Sequence, residues 1–155
     1  MHNILVFGGA GRTGSLLASQ ALKQDHLVTV FTHKEPEPNT LPSHQNLRVI
    51  VADARQEMSV LQALRGHNVV INIIAPALMD SKNHSISQVA THNIISGMQK
   101  TGAKRYIGQS GAWATEFLED ASLPMRLAFK YIPQFKSVYK YKTLEDEIVK
   151  NSGLN

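Results

Sequence analysis

Short apolar runs alternate with segments of helical period along most of the chain. Ile4 to Phe7, Leu27 to Phe31, Leu47 to Val51 and Val69 to Ile74 are rich in β-branched residues, and Tyr106 and Ile107 with their neighbours make a fifth run. The runs are nearly continuous instead of alternating apolar with polar, the pattern of parallel strands covered on both faces. Between them, "RTGSLLASQALKQ" places Leu17 and Ala21 on one helical face. "QEMSVLQALRG" places Met58, Leu61 and Leu64 likewise, with Gly66 as its C-cap. From Ser85 to Lys100, Ile86, Val89, Ala90, Ile94 and Met98 recur at helical spacing, and Gly102 stops the segment. Strands and helices in alternation predict an α/β fold, a doubly wound parallel sheet in three layers with right-handed crossovers. Residues 33–46, "HKEPEPNTLPSHQN", carry three of the six prolines and read as a surface loop, not a linker.

Composition closes off alternatives. At 155 residues, 1–155 reads as a single domain; such a length buries about two-thirds of the surface of the unfolded chain. No apolar run approaches the roughly 20 residues that span a bilayer. The opening "MHNILVFGG" lacks the charged region and long apolar core of a signal peptide, so a cytoplasmic protein without membrane contact is expected. With no cysteine there is no disulfide framework, and the seven histidines form no His-x-x-x-His pair, so no metal is expected. The net charge of +4 raises nucleic-acid binding as a question, but the basic residues are scattered. Only residues 130–142 are dense, with Lys130, Lys136, Lys140 and Lys142 among Tyr131, Phe135, Tyr139 and Tyr141. Basic and aromatic interleaving can hold a single strand. A solvated helix face gives the same pattern, and it is the expectation here.

The stretch "VFGGAGRTG", residues 6–14, holds four glycines directly after the first strand-like run. It can be framed as G-x-x-G-x-x-G through Gly8, Gly11 and Gly14, or as G-x-G-x-x-G through Gly9, Gly11 and Gly14. In either frame one glycine makes the tight turn, the next lets backbone approach a pyrophosphate, and Gly14 brings the helix close to the strand. The free N–H groups at the helix start, around Ala10, Arg12 and Thr13, then face the phosphates. A Walker-type loop is excluded, since no G-K-[ST] follows. Strand, glycines and helix in this order predict a Rossmann-type dinucleotide site.

"VFGGAGRTGSLLASQALKQDHLVTVFTHK" resembles the opening of the atypical short-chain dehydrogenase/reductases, and within them the NmrA-like and flavin-reductase-like NAD(P)H-binding proteins. Further matches follow in register: "VIVADA" at 49–54, "TGAKRYIGQSG" at 101–111 and "KTLEDEIVKNSGLN" at 142–155. The resemblance therefore spans nearly the whole chain. It is specific for the superfamily and says little about substrate.

NAD-selective sites usually place an acid at the end of the second strand. Here Phe31-Thr32-His33-Lys34 offers none before Glu35. Arg12 and Lys34 are the candidates to pair with a 2′-phosphate, with His33 beside them, so NADP is favoured and NAD is the alternative. The resemblance implies a basic residue near the His33 position, where histidine is a departure. It also implies that Asp53 hydrogen-bonds the adenine amino group, with Ala54 beside it, although Asp53 is equally suited to capping the next helix. Ile74, Ala75 and Pro76 are expected to line the ribose and nicotinamide side, and Asn72 reads as a satisfied buried amide.

Carbonyl-reducing relatives use Tyr-x-x-x-Lys with a serine, the lysine lowering the tyrosine pKa for general acid catalysis. The resemblance puts Lys142 at the lysine position, Asp146 at the family's glutamate position and Ser110 after the fifth strand. Val138 stands where the tyrosine belongs, and Tyr139 is one residue late, about 100° round a helix. Hydride transfer to a flavin or quinone needs little beyond a well-placed nicotinamide. Ser110 is then the candidate to orient the carboxamide, with capping of the next helix its other role, and Trp113 either stacks on a planar acceptor or packs. The implied function is a reductase of a flavin, quinone or similar small acceptor, with a non-catalytic dinucleotide sensor of the NmrA kind as the alternative. Self-association is a further expectation. Ser152-Gly153-Leu154 introduces another strand in the family, so the C-terminal strands and part of the substrate side are expected to be missing from this chain.

Overall fold

The computed structural model describes residues 1–75, 84–109 and 121–154. β1 (Asn3–Phe7), β2 (Leu27–Thr32), β3 (Leu47–Val51), β4 (Val69–Asn72) and β5 (Arg105–Gly108) form one parallel sheet in the order β3-β2-β1-β4-β5. The register sets Leu5 between Thr29 and Val70, and Phe7 between Phe31 and Asn72. The helices among the described residues are α1 (Arg12–Lys23), α2 (Glu57–Leu64), α3 (Ile86–Thr101), α4 (Leu123–Tyr131) and α5 (Pro133–Lys150).

Successive residues of β1 point to opposite faces, and both faces are covered. Leu5 and Phe7 join Val60, Leu64, Ile94 and Met98 beneath α2 and α3. Ile4 and Val6 join Ala18 and Leu22 beneath α1. This is the doubly wound, three-layer Rossmann arrangement, and the strand order reverses between β1 and β4, where such sheets bind ligands. α3 lies close on α2 at Gly97, where an added Cβ would run into the Leu64 side chain.

Burial of strands on both faces holds for β1, β2 and β4 but not for β3 and β5. In β3, Val49 and Val51 are each 42% exposed, and β5 is largely exposed as well. Both are edge strands of the described sheet, covered less than the centre. β4 ends at Asn72 rather than Ile74, because the Asn72 side chain takes the Ile74 N–H that a continuing ladder would use. Of the face expected for α2, Leu64 is buried and Met58 is exposed; Val60 and Ala63 join Leu64 in the core. In α1 the fully buried stripe is Gly14, Ala18 and Leu22, with Leu17 and Ala21 flanking it. Gly66 and Gly102 both take φ of +77°, the left-handed geometry that ends a helix, with Gly102 the C-cap of α3 and Gly66 one residue beyond the α2 cap. No helix among the described residues is long and apolar enough to cross a membrane.

Candidate functional site

A cavity of about 540 Å³ opens at the C-terminal ends of β1, β2 and β4. Its floor is the glycine turn and the segment after β4, and its walls are the loops after β2 and β3. Backbone hydrogen bonds hold these loops together: Gly8 N–H donates to Phe31 O at 2.9 Å, Ala52 N–H to Thr32 O at 2.8 Å and Ile73 N–H to Phe7 O at 3.1 Å.

The frame through Gly8, Gly11 and Gly14 is the one built. Gly8 has φ of +77°, and a Cβ there would stand 3.2 Å from the Ile73–Ile74 backbone. Gly14 is buried against the turn itself: its Cβ would lie 2.5 Å from Gly8 O and Gly9 Cα. Gly9 turns inward onto the Val30 side chain. Gly11 is different. Its φ of −75° suits any residue, and a Cβ there would approach only Gly8 O, at 3.3 Å. Of the glycines in this turn, Gly11 is the least constrained by the fold itself, and it borders the cavity.

Gly11 is also the N-cap of α1 and supplies no side-chain cap, so the first N–H groups of α1, on Arg12, Thr13 and Gly14, have no intrahelical partner. Bare backbone with free N–H groups at a helix start is a cradle for phosphate oxygens. The residues present therefore fit a dinucleotide pyrophosphate.

Of the residues singled out in the sequence, Gly8, Ala10, Gly11, His33, Lys34, Asp53, Ile74 and Ala75 line this one cavity. The Thr32 hydroxyl donates to Lys34 O at 3.1 Å, fixing the turn that presents His33 and Lys34. Arg12 and Thr13 line a separate shallow depression with Leu16 and Gln20. Ala54 is buried in the core, and its carbonyl accepts from Asn93 Nδ2 at 3.0 Å, which anchors the loop after β3. Pro76, Ser110 and Trp113 lie outside the described residues.

Asp53 does not cap α2, whose N-cap is Gln56. It grips Arg55 instead: Arg55 N–H donates to Oδ1 at 2.9 Å, and Nη2 lies 2.7 Å from Oδ2. Arg55 lines the cavity and was missed in the sequence, where nothing marks a guanidinium two residues after an aspartate as its partner. Ile86, at the start of α3, was missed too and carries no sequence signal. The Arg55 hydrogen bonds, outweighing partial burial, hold the Asp53 carboxyl below its usual range, so it is an anionic acceptor throughout the neutral range. A depressed carboxylate pKa adds stability that is present above the unfolded value and lost as pH falls through the folded one. Melting temperature should therefore drop below about pH 3.9, and Arg55→Gln should shrink that drop in a melt series from pH 2 to 6.

Asn72 is the satisfied buried amide expected. Its Nδ2 donates to Thr91 Oγ1 at 2.9 Å and to Tyr106 Oη at 3.1 Å, and its Oδ1 accepts from Ile74 N–H at 3.2 Å. One side chain thus ties α3, β5 and the cavity floor together. Burial raises the Tyr106 phenol pKa, so it stays a neutral hydroxyl in this network. Asn72→Ala strands these buried partners and should cost about 2 kcal/mol, read as a shift of the urea midpoint at unchanged slope.

Val138, at the position of the family tyrosine, is buried, and the Tyr139 ring packs edge-on against Phe129 with centroids 6.0 Å apart. Lys142, at the position of the family lysine, makes its ion pair within α5. Its ammonium lies 2.7 Å from Glu145, three residues later on α5, and 3.5 Å from Gln109 O just past β5.

A family model described as NAD(P)H-binding matches residues 8–155, from the glycine turn onward. The chain belongs to this NAD(P)H-binding family. Among curated proteins it is similar to the L-arabinose 1-dehydrogenase (NAD(P)(+)) of Haloferax volcanii, 29% identical over 133 residues, covering 83% of this chain and 49% of that protein. The chain spans about half the length of that relative. Among solved structures it is similar to WbmG of Bordetella bronchiseptica in complex with NAD and UDP, at 22% identity and a TM-score of 0.79, covering 99% of this chain and 50% of that one. A short-chain dehydrogenase/reductase from Veillonella parvula in complex with NADP aligns at 18% identity and a TM-score of 0.71, over 100% of this chain and 67% of that one. ChuY, an anaerobilin reductase from Escherichia coli O157:H7, aligns at 20% identity and a TM-score of 0.74, over 98% and 68%. At these identities the solved structures bear on the fold, which they share.

Proposed function

We propose that this chain is the NAD(P)H-binding part of an oxidoreductase that passes hydride from the nicotinamide to a flavin, quinone or similar small acceptor. The observation that carries the reading is Gly11, bare backbone bordering the cavity at the start of α1, which has no side-chain cap. Gly8, Gly11 and the first N–H groups of α1 would hold the pyrophosphate. Asp53 would accept from the adenine amino group, and Ile74, Ala75 and Pro76 would border the ribose and nicotinamide. Lys142 and Ser110 are the residues assigned to the nicotinamide end. When bound, the reduced nicotinamide supplies the hydride; the chain supplies orientation and keeps the phosphates paired.

Cofactor choice rests on the charges around the adenosine ribose. Lys34, Arg55 and His33 line the cavity, and so do Glu35 and Glu37. We favour NADPH because His33 and Lys34 directly follow β2, where the ribose hydroxyls fall in such folds, and Arg55 already offsets Asp53. NADPH should bind several-fold more tightly than NADH in a fluorescence titration, and Lys34→Gln should erase the difference. Equal affinities in the parent would remove that role from Lys34.

Turnover with a panel of flavins, quinones and, from the dehydrogenase relative, aldoses with oxidised cofactor would test the acceptor class. Buried Val138 in the tyrosine position also favours a second reading, a dinucleotide sensor without chemistry. Tight cofactor binding with no oxidation against the whole panel would select the sensor.

A further inference from the structure

We infer that Glu145 is a positioning residue that holds the Lys142 ammonium at the end of β5, against the nicotinamide half of the dinucleotide. The inference rests on the cofactor site proposed above and adds to it a residue and a direction. Lys142 and Glu145 lie three residues apart on α5, joined at 2.7 Å, with only 11% and 6% of their side chains exposed. Glu145 and Val138 are the buried residues of α5. A buried ion pair seldom adds net stability over apolar packing, because desolvating both charges cancels most of their attraction. Packing alone therefore gives no reason to keep this one.

Its location does. The ammonium sits 3.5 Å from the carbonyl of Gln109, whose own N–H donates to Asn72 O at 2.9 Å. Gln109, just past β5, is thus tied to the backbone at the end of β4, and the next residues of that segment, Ile73, Ile74 and Ala75, line the cavity, which puts the ammonium at the β4–β5 end of the strand-end rim. The pyrophosphate cradle and the His33–Lys34 turn occupy the β1 and β2 side of that rim, which leaves the β4 and β5 side for the other half of the ligand. A lysine on a free four-carbon stem would spread over many rotamers and reach for solvent. The Glu145 carboxylate removes that freedom, and Lys142 in turn answers a carboxylate that burial would otherwise leave uncompensated. Tyr106 and Asp146 are the neighbouring titratable groups, and the Tyr106 phenol is neutral and engaged with Asn72.

The test compares two ligands on the full chain by isothermal calorimetry: NADPH, and adenosine 2′,5′-bisphosphate, which lacks the nicotinamide half. Glu145→Gln should weaken NADPH about tenfold, the size of a lost charge-assisted orientation, and leave the bisphosphate within about twofold. Glu145→Asp, which keeps the carboxylate, should recover part of the loss. Equal weakening of both ligands, or of neither, would overturn the positioning role and leave the pair a structural feature. Failure of both variants to fold would do the same. If the parent binds neither ligand, the cofactor site itself falls, a result distinct from the others.

Discussion

Gly11→Asp is expected to abolish binding of NADPH and NADH, a loss on the order of 100-fold or more, while the melting temperature stays level or rises by a few degrees. Aspartate is a preferred N-cap and glycine a weaker one, so the substitution gives α1 a cap and complements its dipole. The backbone at Gly11 has φ of −75°, and the single close approach of a Cβ, 3.3 Å to Gly8 O, needs a shift of a few tenths of an ångström. The neighbour is a backbone oxygen that also accepts the Gly11 N–H at 3.0 Å, so this shift, far smaller than the one a Cβ at Gly14 would demand, takes back part of what the cap adds. The same carboxylate would stand where the pyrophosphate must sit and carry the same sign of charge. Titration by nucleotide fluorescence, with thermal melts of the same samples, separates the two effects. Gly11→Asn, which caps without charge, should retain more affinity than aspartate. A Gly11→Asp protein that still binds NADPH like the parent would mean that the phosphates lie elsewhere, and the assignment of the glycine turn would fall.

The fold and the glycine turn were legible because local patterns decide them. Continuous apolar runs predicted β1, β2 and β4, buried on both faces, and Gly102 marked the end of α3 by its need for a left-handed cap. Of the two glycine frames, packing chose between them: Gly9 is filled on one side by Val30, a residue of another strand that no local motif contains. The same limit explains what was missed. The helical face of α2 was placed on Met58, Leu61 and Leu64, and only Leu64 is fully buried, since apolar character is readable and depth is not. Family spacing drew attention to Asp146 and left Glu145 unremarked, whereas Glu145 is the buried acid of α5 and the partner of Lys142. Arg12 and Lys34 look alike in sequence, but Lys34 lines the cavity, whereas Arg12, in the first turn of α1, borders a separate depression.

Gly14→Ala should destabilise the protein by about 3 kcal/mol, the opposite outcome to Gly11 from a smaller change in the same loop. Two effects compete. Alanine is the better helix residue, by roughly 1 kcal/mol in a helix interior, and Gly14 lies within α1. Against that, its Cβ would stand 2.5 Å from both Gly8 O and Gly9 Cα and 2.8 Å from Gly9 C. These are backbone atoms with no rotamer to escape into. Gly8 N–H is bonded to Phe31 O, and Gly9 rests on Val30, so the turn cannot move without lifting from β2. The steric cost wins, with a fall in melting temperature of roughly 6–12 °C for a chain of this size. Affinity for NADPH should fall with it, because the displaced turn carries Gly8 and Gly11 out of line with the N–H groups of α1. Calorimetric melting and a urea titration of the variant decide the matter. An unchanged or raised melting temperature would show that α1 can draw back from β1 at little cost, and Gly14 would then no longer be the contact that fixes the helix start under the phosphates.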